Sequence, residues 1–491
     1  MVIINQMGLA KRIIARLDIK GKKLIKGIRF EGLRVIGDAI DFAEKYYLNG
    51  VDEILYIDAV ASLYGRNSLY EILSETSKRI FVPITAGGGI RSIEDAKALI
   101  SNGADKVAIN TGLVEDIGLA NRLVKVFGSQ CIVASIQAKK NPNLGWEVMK
   151  ASGRERTGIA VNDWINVIQQ EGVGEILITS VDNDGLSKGI DKDLIEMSSK
   201  ICKIPLIVGG GFGDENEIYS SIKKPKISGV SIGASFHKNK LLIKTLKDKI
   251  NLNDSNLIRV INSEIDFGTK NINKNIYDLF RKKNLLIVDY GLGNHHSLFN
   301  SLEKLDYKVE ISSSIKKIKE ADLIFLPGVG SFSEGIKNLK NKGIYNLLIE
   351  SVNLGKPIIG ICLGMQMMLD KGYEDGINKG LGLIKGEVQY MGKIHSEKKM
   401  LIPHIGWNYI KSNQEDLNFK ELNSMQYFVH SFNAISVPAE NKLFSFNYYQ
   451  RDWIASIIHE NIIGFQFHPE RSGIHGLRLL DYFVEFLLKQ K

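Results

Sequence analysis

Two α/β architectures in tandem are what this 491-residue sequence predicts, a (β/α)8 barrel followed by a second α/β domain. Three observations carry the prediction. Eight short apolar runs alternate with longer amphipathic ones over roughly the first 250 residues. The same motifs recur at a fixed spacing within that stretch. A second strand–glycine–helix pattern opens at "NLLIVDYGLGN" and runs toward the C-terminus.

In chain order the eight runs are "RIIARLDI", "EILYIDAVA", "VPITAGG", "KVAIN", "CIVASIQ", "EILITSVD", "IPLIVGGG" and "GVSIGA". Each is read as a buried strand followed by a helical pattern, such as "SIEDAKALISNGA" or "AVNDWINVIQQEG". Eight such units are the number a (β/α)8 barrel needs. "DEILYIDAVA" resembles "GEILITSVDN", and "VPITAGGGIRS" resembles "IPLIVGGGFGD"; one 122-residue offset separates Glu53 from Glu175 and Gly88 from Gly210. Two motifs sharing one offset predict two half-barrels of four units each. Residues 1–250 are therefore assigned to the barrel. Residues 251–283, polar and rich in Asn and Lys, read as a linker with one short helix. Residues 284–491 form the second domain, with strands at "LLIVDY", "LIFLPG", "PIIGIC" and a β-rich stretch ending "IIGFQFHPE".

The composition excludes several classes of function. Hydrophobic residues at 44% and charged residues at 24% are those of an ordinary globular chain. The net charge of +9 comes without a basic run interleaved with aromatics, so no nucleic-acid partner is expected; positive potential would instead draw anionic substrates to a cleft. Cys131, Cys202 and Cys362 cannot build a disulfide framework, which fits a reducing cytosol. Neither a secretory leader nor an apolar run of about 18 residues is present, so a cytoplasmic protein without a membrane partner is expected. No cofactor and no metal are expected.

Chemistry is concentrated first in the second domain. "KPIIGICLGMQMM" sets Cys362 directly after a strand and at the start of a helix, where Gly360 and Gly364 permit a strained turn that projects the thiol. "FQFHPE" supplies His468 and, two residues on, Glu470; in extended chain the two share a face, so the carboxylate can hold the imidazole. "LPGVGSF" supplies a glycine loop, Gly328-Val329-Gly330, whose N–H groups are placed to stabilise an oxyanion with the N–H of Leu363. A lone Cys is usually structural and a lone His–Glu pair usually superficial; the three together are far more specific.

"PGVGSF", "GICLGMQ" and "QFHPE" resemble the motifs of class I (triad) glutamine amidotransferases, and the likeness covers residues 284–491. It implies Cys362 as nucleophile, His468 as acid/base, Glu470 as orienter and Gln366 as a contact for substrate glutamine. It also implies glutamine hydrolysis through a thioester, with release of ammonia. "YFVHSF", "IPHIGWN" and "DYGLGN" narrow the resemblance to the glutaminase subunit of imidazole glycerol phosphate synthase.

In a barrel the active site lies at the C-terminal ends of the strands. Those ends carry Asp18, Asp58, Asn110, Gln137, Asp182 and Asp184. "GGG" turns at Gly88–Gly89 and Gly210–Gly211 occupy matching places in the two halves and predict two phosphate sites, with Thr111 a further candidate phosphate contact. "AKRIIARLDIK", "GGGIRSIEDA", "GADKVAINT", "FGSQCIV" and "TGIAVNDW" are similar to the cyclase subunit of the same synthase over residues 8–250. That resemblance implies that ammonia passes through the barrel to a phosphoribulosyl formimino carboxamide ribonucleotide. The products are imidazole glycerol phosphate and aminoimidazole carboxamide ribonucleotide. It further implies an intramolecular interface between the two domains, and an ammonia gate at the barrel bottom formed by Arg12, Glu53, Lys106 and Glu175.

One position departs from the family. Two aspartates are implied as acid and base; the first falls on Asp18, but the second falls on Gln137, an amide. Glutamine orients by hydrogen bonds but exchanges no proton near neutrality. Three accounts stay open. Cyclisation proceeds slowly or with Asp184 or Asp58 taking over; or the barrel makes a different aminated product; or it serves as conduit and scaffold for a separate sugar-amidating enzyme. Arg16 beside Asp18 and a bulky Tyr64 in an active-site loop are further departures.

Overall fold

All eight apolar runs form parallel strands of one closed barrel: β1 Arg12–Lys20, β2 Glu53–Asp58, β3 Ile84–Gly87, β4 Lys106–Ile109, β5 Ile132–Asn141, β6 Glu175–Ser180, β7 Leu206–Gly209 and β8 Ile227–Ile232. Each strand pairs with its neighbour in sequence, and β8 closes onto β1. The computed structural model describes residues 8–61, 69–260, 280–394 and 400–490. These divide into two units, one built from Leu9–Ile261 with Leu401–Trp407, the other from Asn262–Met400 with Asn408–Lys491. Tyr64 and most of the expected linker, with its short helix, lie outside the described residues.

The side-chain period of two sorts each strand into layers. Ile14, Leu55, Ala108, Val133, Leu177 and Ile207 make an apolar layer inside the barrel. Two residues earlier on four of these strands stand Arg12, Glu53, Lys106 and Glu175, all buried. Two residues later stand Arg16, Asn110, Ser135 and Thr179, and one step further on β1 and β5 come Asp18 and Gln137.

The expectation that every strand leads straight to a helix fails twice. After β1 comes an antiparallel hairpin, Lys23–Ile28 with Glu31–Asp38; after β5 comes another, Gly145–Lys150 with Glu155–Ala160. Their outer strands are largely exposed and polar, so they lack the apolar run that marks a buried strand. The half-barrel repeat extends even to their tips. Arg29 and Phe30 lie at φ 53° and 63°, and Ala151 and Ser152 at φ 49° and 58°. Ile28 opposite Glu31 leaves a two-residue turn, which demands positive φ at both central positions.

The barrel packing continues beyond residue 250. Helix Ile243–Asn253 passes through that position, Ile258 is fully buried, and Arg259 donates to Asp52 at 2.8 Å.

A nine-stranded sheet, in the second unit but for the first four residues of β13, is made of β9 Asn284–Val288, β10 Lys308–Ser312, β11 Leu323–Leu326, β12 Ile358–Ile361, β13 His404–Ser412, β14 Ser424–His430, β15 Lys442–Tyr448, β16 Arg451–His459 and β17 Ile462–Phe465. Their order across the sheet is β10-β9-β11-β12-β17-β16-β15-β13-β14. The first five are parallel and β16 turns antiparallel to β17. Open parallel sheets place their chemistry at the carboxyl ends of the strands, which here brings the loops after β11, β12 and β17 to one edge. Among the described residues no helix is long and apolar enough to cross a membrane.

Candidate active site

In the second unit Cys362 follows β12 at φ 52° and ψ −107°, a conformation that L-residues rarely adopt. Its neighbours make that geometry attainable. A Cβ on Gly364 would fall 1.7 Å from the Leu326 carbonyl oxygen, and one on Gly360 would fall 2.6 Å from Met368. The Cys362 N–H donates to the Phe465 carbonyl at 2.6 Å, which fixes the elbow against the end of β17. Gln466 Nε2 approaches Cys362 Sγ at 3.6 Å.

His468 and Glu470 lie just past β17 and are both buried. His468 Nδ1 and Glu470 Oε1 are 2.8 Å apart. Burial pulls the imidazole pKa down, but the charges of Glu470 and Cys362 outweigh it and hold His468 well above the ordinary histidine range. The Cys362 thiol engages the same imidazole by charge and hydrogen bond. The sequence-predicted Cys, His and Glu thus come together, with one nitrogen of the imidazole committed to the carboxylate.

The oxyanion loop differs from expectation. The Leu363 N–H, expected to face an oxyanion, donates instead to the Gly328 carbonyl at 3.4 Å. Val329 is buried and Gly330 sits at φ +134°. Gly328 is wedged under Tyr290: a Cβ there would lie 2.7 Å from the tyrosine hydroxyl, which itself donates to the Pro327 carbonyl. Gln366 is also engaged within the protein, donating to the Phe432 carbonyl at 3.0 Å and to Gln466 Oε1 at 3.1 Å.

Sequence reasoning missed Glu374. Its carboxylate accepts the N–H of Phe332, at the end of the "PGVGSF" loop, at 2.8 Å. Burial pushes its pKa up to about 7 against that hydrogen bond. The position carried no motif of its own; only the three-dimensional proximity to the loop singles it out.

In the barrel, the expected gate residues form one buried ion-pair ring at the N-terminal ends of the strands. Arg12 meets Glu53 at 2.7 Å and also pairs with Glu175; Lys106 meets Glu53 at 2.9 Å and Glu175 at 2.6 Å. Thr85 donates to Glu53 at 2.6 Å. Burial raises the Glu175 carboxyl, but Arg12 and Lys106 outweigh it and hold it below the usual carboxylate range. Its stabilising contribution is therefore full above that range and is lost only as strong acid protonates it. Glu175→Gln leaves Arg12 and Lys106 sharing Glu53 alone, with one buried positive charge uncompensated, and is expected to lower stability by about 3–5 kcal/mol in urea unfolding at neutral pH.

The opposite mouth holds the other predicted residues. Asp18 accepts from Arg16 Nε at 2.8 Å and from Lys26 Nζ at 2.6 Å, and Lys26 also reaches Asp184 at 2.8 Å. Arg16 extends to Thr179 Oγ1 on β6 at 3.0 Å. Burial raises the Asp18 carboxyl, yet Arg16 and Lys26 prevail and hold it far below its ordinary value. Asp58 is committed to the N–H groups of Val60 and Ala61, each at 3.0 Å, and Asp182 to that of Lys140 at 2.8 Å.

Two glycine turns open cavities in matching places. Gly88, Gly89, Thr111, Asn110, Ser135 and Gln137 line one; Gly210, Gly211, Gly185, Ser187, Arg16 and Asp184 line the other. Gly88 and Gly210 lie at φ +122° and +92°, and a Cβ on either would strike a carbonyl, that of Asp58 at 2.7 Å or of Ser180 at 2.6 Å. The clashing carbonyls obey the 122-residue repeat as well.

A closed eight-stranded parallel barrel with paired glycine turns, joined to a cysteine-elbow α/β unit, defines a glutamine amidotransferase coupled to a cyclase-type domain. Residues 12–242 match the family described as histidine biosynthesis protein, and residues 286–485 match glutamine amidotransferase class-I. The chain is 52% identical over 206 residues to imidazole glycerol phosphate synthase subunit HisF of Legionella pneumophila, covering 42% of this chain and 97% of that protein. It is 39% identical over 240 residues to the same-named subunit of Natranaerobius thermophilus (49% and 95% covered) and 37% identical over 239 residues to that of Streptococcus sanguinis (49% and 95%). Through its barrel the chain belongs to the HisF family, and a class-I glutamine amidotransferase domain follows in the same polypeptide.

Proposed function

We propose that the chain hydrolyses glutamine at Cys362 and delivers the ammonia to a doubly phosphorylated ribonucleotide at the barrel mouth, giving imidazole glycerol phosphate and aminoimidazole carboxamide ribonucleotide. The observation that carries the glutaminase half is the strained Cys362 elbow beside the His468–Glu470 pair. His468 takes the thiol proton and returns it to the leaving ammonia, while Glu470 holds the ring and its charge. Stabilising the thioester's oxyanion precursor requires the Gly328 carbonyl to leave the Leu363 N–H, after which that N–H and those of the Gly328–Gly330 loop face the developing charge. Gln366 and Glu374 flank the glutamine site. Glu374 meets the substrate ammonium as a carboxylate. Protonated Glu374 cannot make that pair, so KM for glutamine is expected to rise as pH falls through about 7, with kcat moving less, and the rise to vanish in Glu374→Gln.

At the barrel, Gly88, Gly89 and Thr111 hold one phosphate and Gly210 and Gly211 the other. Arg12, Glu53, Lys106 and Glu175 guard the ammonia entrance, and Asp18 with Asp184 supplies what proton transfer the mouth retains. Amide-15N glutamine supplied with the doubly phosphorylated substrate tests the whole reading: 15N in the imidazole product supports it, and unlabelled product or none overturns it.

A second reading is favoured by the state of Asp18. It is pinned between Arg16 and Lys26, and its partner position carries Gln137. With neither group ready to accept a proton, the glutaminase would supply ammonia to another acceptor, such as a surface sugar carried by a separate amidating enzyme.

A further inference from the structure

The two halves of the barrel mouth, related by the internal repeat, have opposite polar accounts. In the first, Arg16, Asp18 and Lys26 satisfy one another, and Thr179 and Asp184 reached from the second half, through ion pairs and hydrogen bonds. In the other, the matching positions carry uncharged Ser135 and Gln137. Gln137 is only 6% exposed, and its Oε1 is buried without a hydrogen-bond partner among the described residues. An unpaired buried amide oxygen is costly to leave unmet, and this one lines the cavity beside the Gly88–Gly89 turn, whose wall also carries Asp58 and Arg91. Its neighbour does not relieve it: Asn110 spends its own NH2 on the carbonyls of Ser135 at 2.9 Å and Met149 at 3.1 Å.

We propose that Gln137 is a specificity-determining residue that reads a carboxamide on the phosphorylated ligand of this cavity. One edge of a primary amide presents an N–H donor and a C=O acceptor side by side in a single plane, and a second amide complements both. A ligand carboxylate would set an anion against Gln137 Oε1 and lose the bond that atom needs. A ligand ammonium would do the same to Nε2. The carboxamide satisfies both atoms at once and converts an unpaired buried group into a paired one. The adjoining glycine turn takes the phosphate. This assignment rests on the reading of the barrel mouth as a phosphate-ligand site, and is separate from what the barrel does to the ligand.

Calorimetric binding to the full chain tests it with three probes: aminoimidazole carboxamide ribonucleotide, the same ribonucleotide bearing a carboxylate in place of the carboxamide, and ribose 5-phosphate. The carboxamide is expected to bind roughly tenfold or more tighter than either of the others. Gln137→Leu should bring the three affinities together, and Gln137→Glu, which keeps the size of the side chain, should weaken the carboxylate probe further. Equal affinities in the wild type overturn the proposal, as does discrimination that survives Gln137→Leu or the absence of binding by any probe. Loss of ribose 5-phosphate affinity in Gln137→Leu also overturns it, since the amide would then be reading ribose hydroxyls. Glutaminase turnover, followed in the same samples as glutamate release, reports on the amidotransferase reading independently. Its absence alongside intact discrimination would sink that reading and leave this one standing.

Discussion

Cys362→Ala is expected to abolish glutamine hydrolysis, lowering kcat by about 10⁴–10⁶-fold, the cost of deleting a nucleophile from a cooperating triad. Glutamate release measured by a coupled dehydrogenase checks it. The substitution removes one sulfur at the elbow and leaves the backbone pinned by the Phe465 carbonyl and by Gly360 and Gly364, so the thermal transition should barely move. Glu470→Gln is expected to act differently. It preserves the size of the side chain, but its amide can donate to His468 Nδ1 and so favours the tautomer with its proton on Nε2, which cannot accept from the thiol. A loss of roughly 10⁴-fold follows, smaller than that for Cys362→Ala because the carboxylate acts through the imidazole. If Cys362→Ala retained wild-type glutaminase, the thioester route would be wrong. If Glu470→Gln were silent, the 2.8 Å contact would be structural only.

The legible parts of this molecule are those whose physics is local or periodic. Eight parallel strands buried on both faces read as apolar runs, and the 122-residue offset doubled the signal at Glu53 and Glu175 and at Gly88 and Gly210. Cys362 was legible because a cysteine at a strand–helix elbow needs small neighbours, and the glycines stand where a Cβ would collide. What the sequence could not display were contacts across the fold. The two hairpins escaped because half of each faces solvent. Glu374 escaped because its meaning comes from Phe332, far away in sequence. The Leu363 N–H was assigned to an oxyanion, but which carbonyl faces it depends on the orientation of a single peptide in a glycine loop. Arg16 was visible as a departure, yet that it spans from Asp18 to Thr179 required coordinates.

Gln137→Asp is expected to accelerate the ammonia-dependent barrel reaction by about 10²–10⁴-fold, the usual worth of a positioned general acid or base. The assay supplies the doubly phosphorylated ribonucleotide with a high ammonium salt concentration at alkaline pH, which bypasses Cys362, and follows release of the carboxamide ribonucleotide. Wild type should turn over slowly. Its one remaining aspartate at these paired positions is held as an anion by two cations, which lowers its basicity as surely as removing it would. Freeing Asp18 should therefore add to restoring its partner. Gln137→Asp combined with Arg16→Ala is expected to exceed Gln137→Asp alone, because only the double change leaves two carboxylates with room to exchange protons; Lys26 still anchors Asp18 in place. A wild type as fast as the double variant would mean that Asp18, paired as it is, suffices for cyclisation, and the second reading would fall. Wild-type turnover at background, with activity appearing only in the variants, would mean that the mouth still binds the family's substrate while the chain has given up its conversion. The ammonia made at Cys362 would then need an acceptor beyond this barrel.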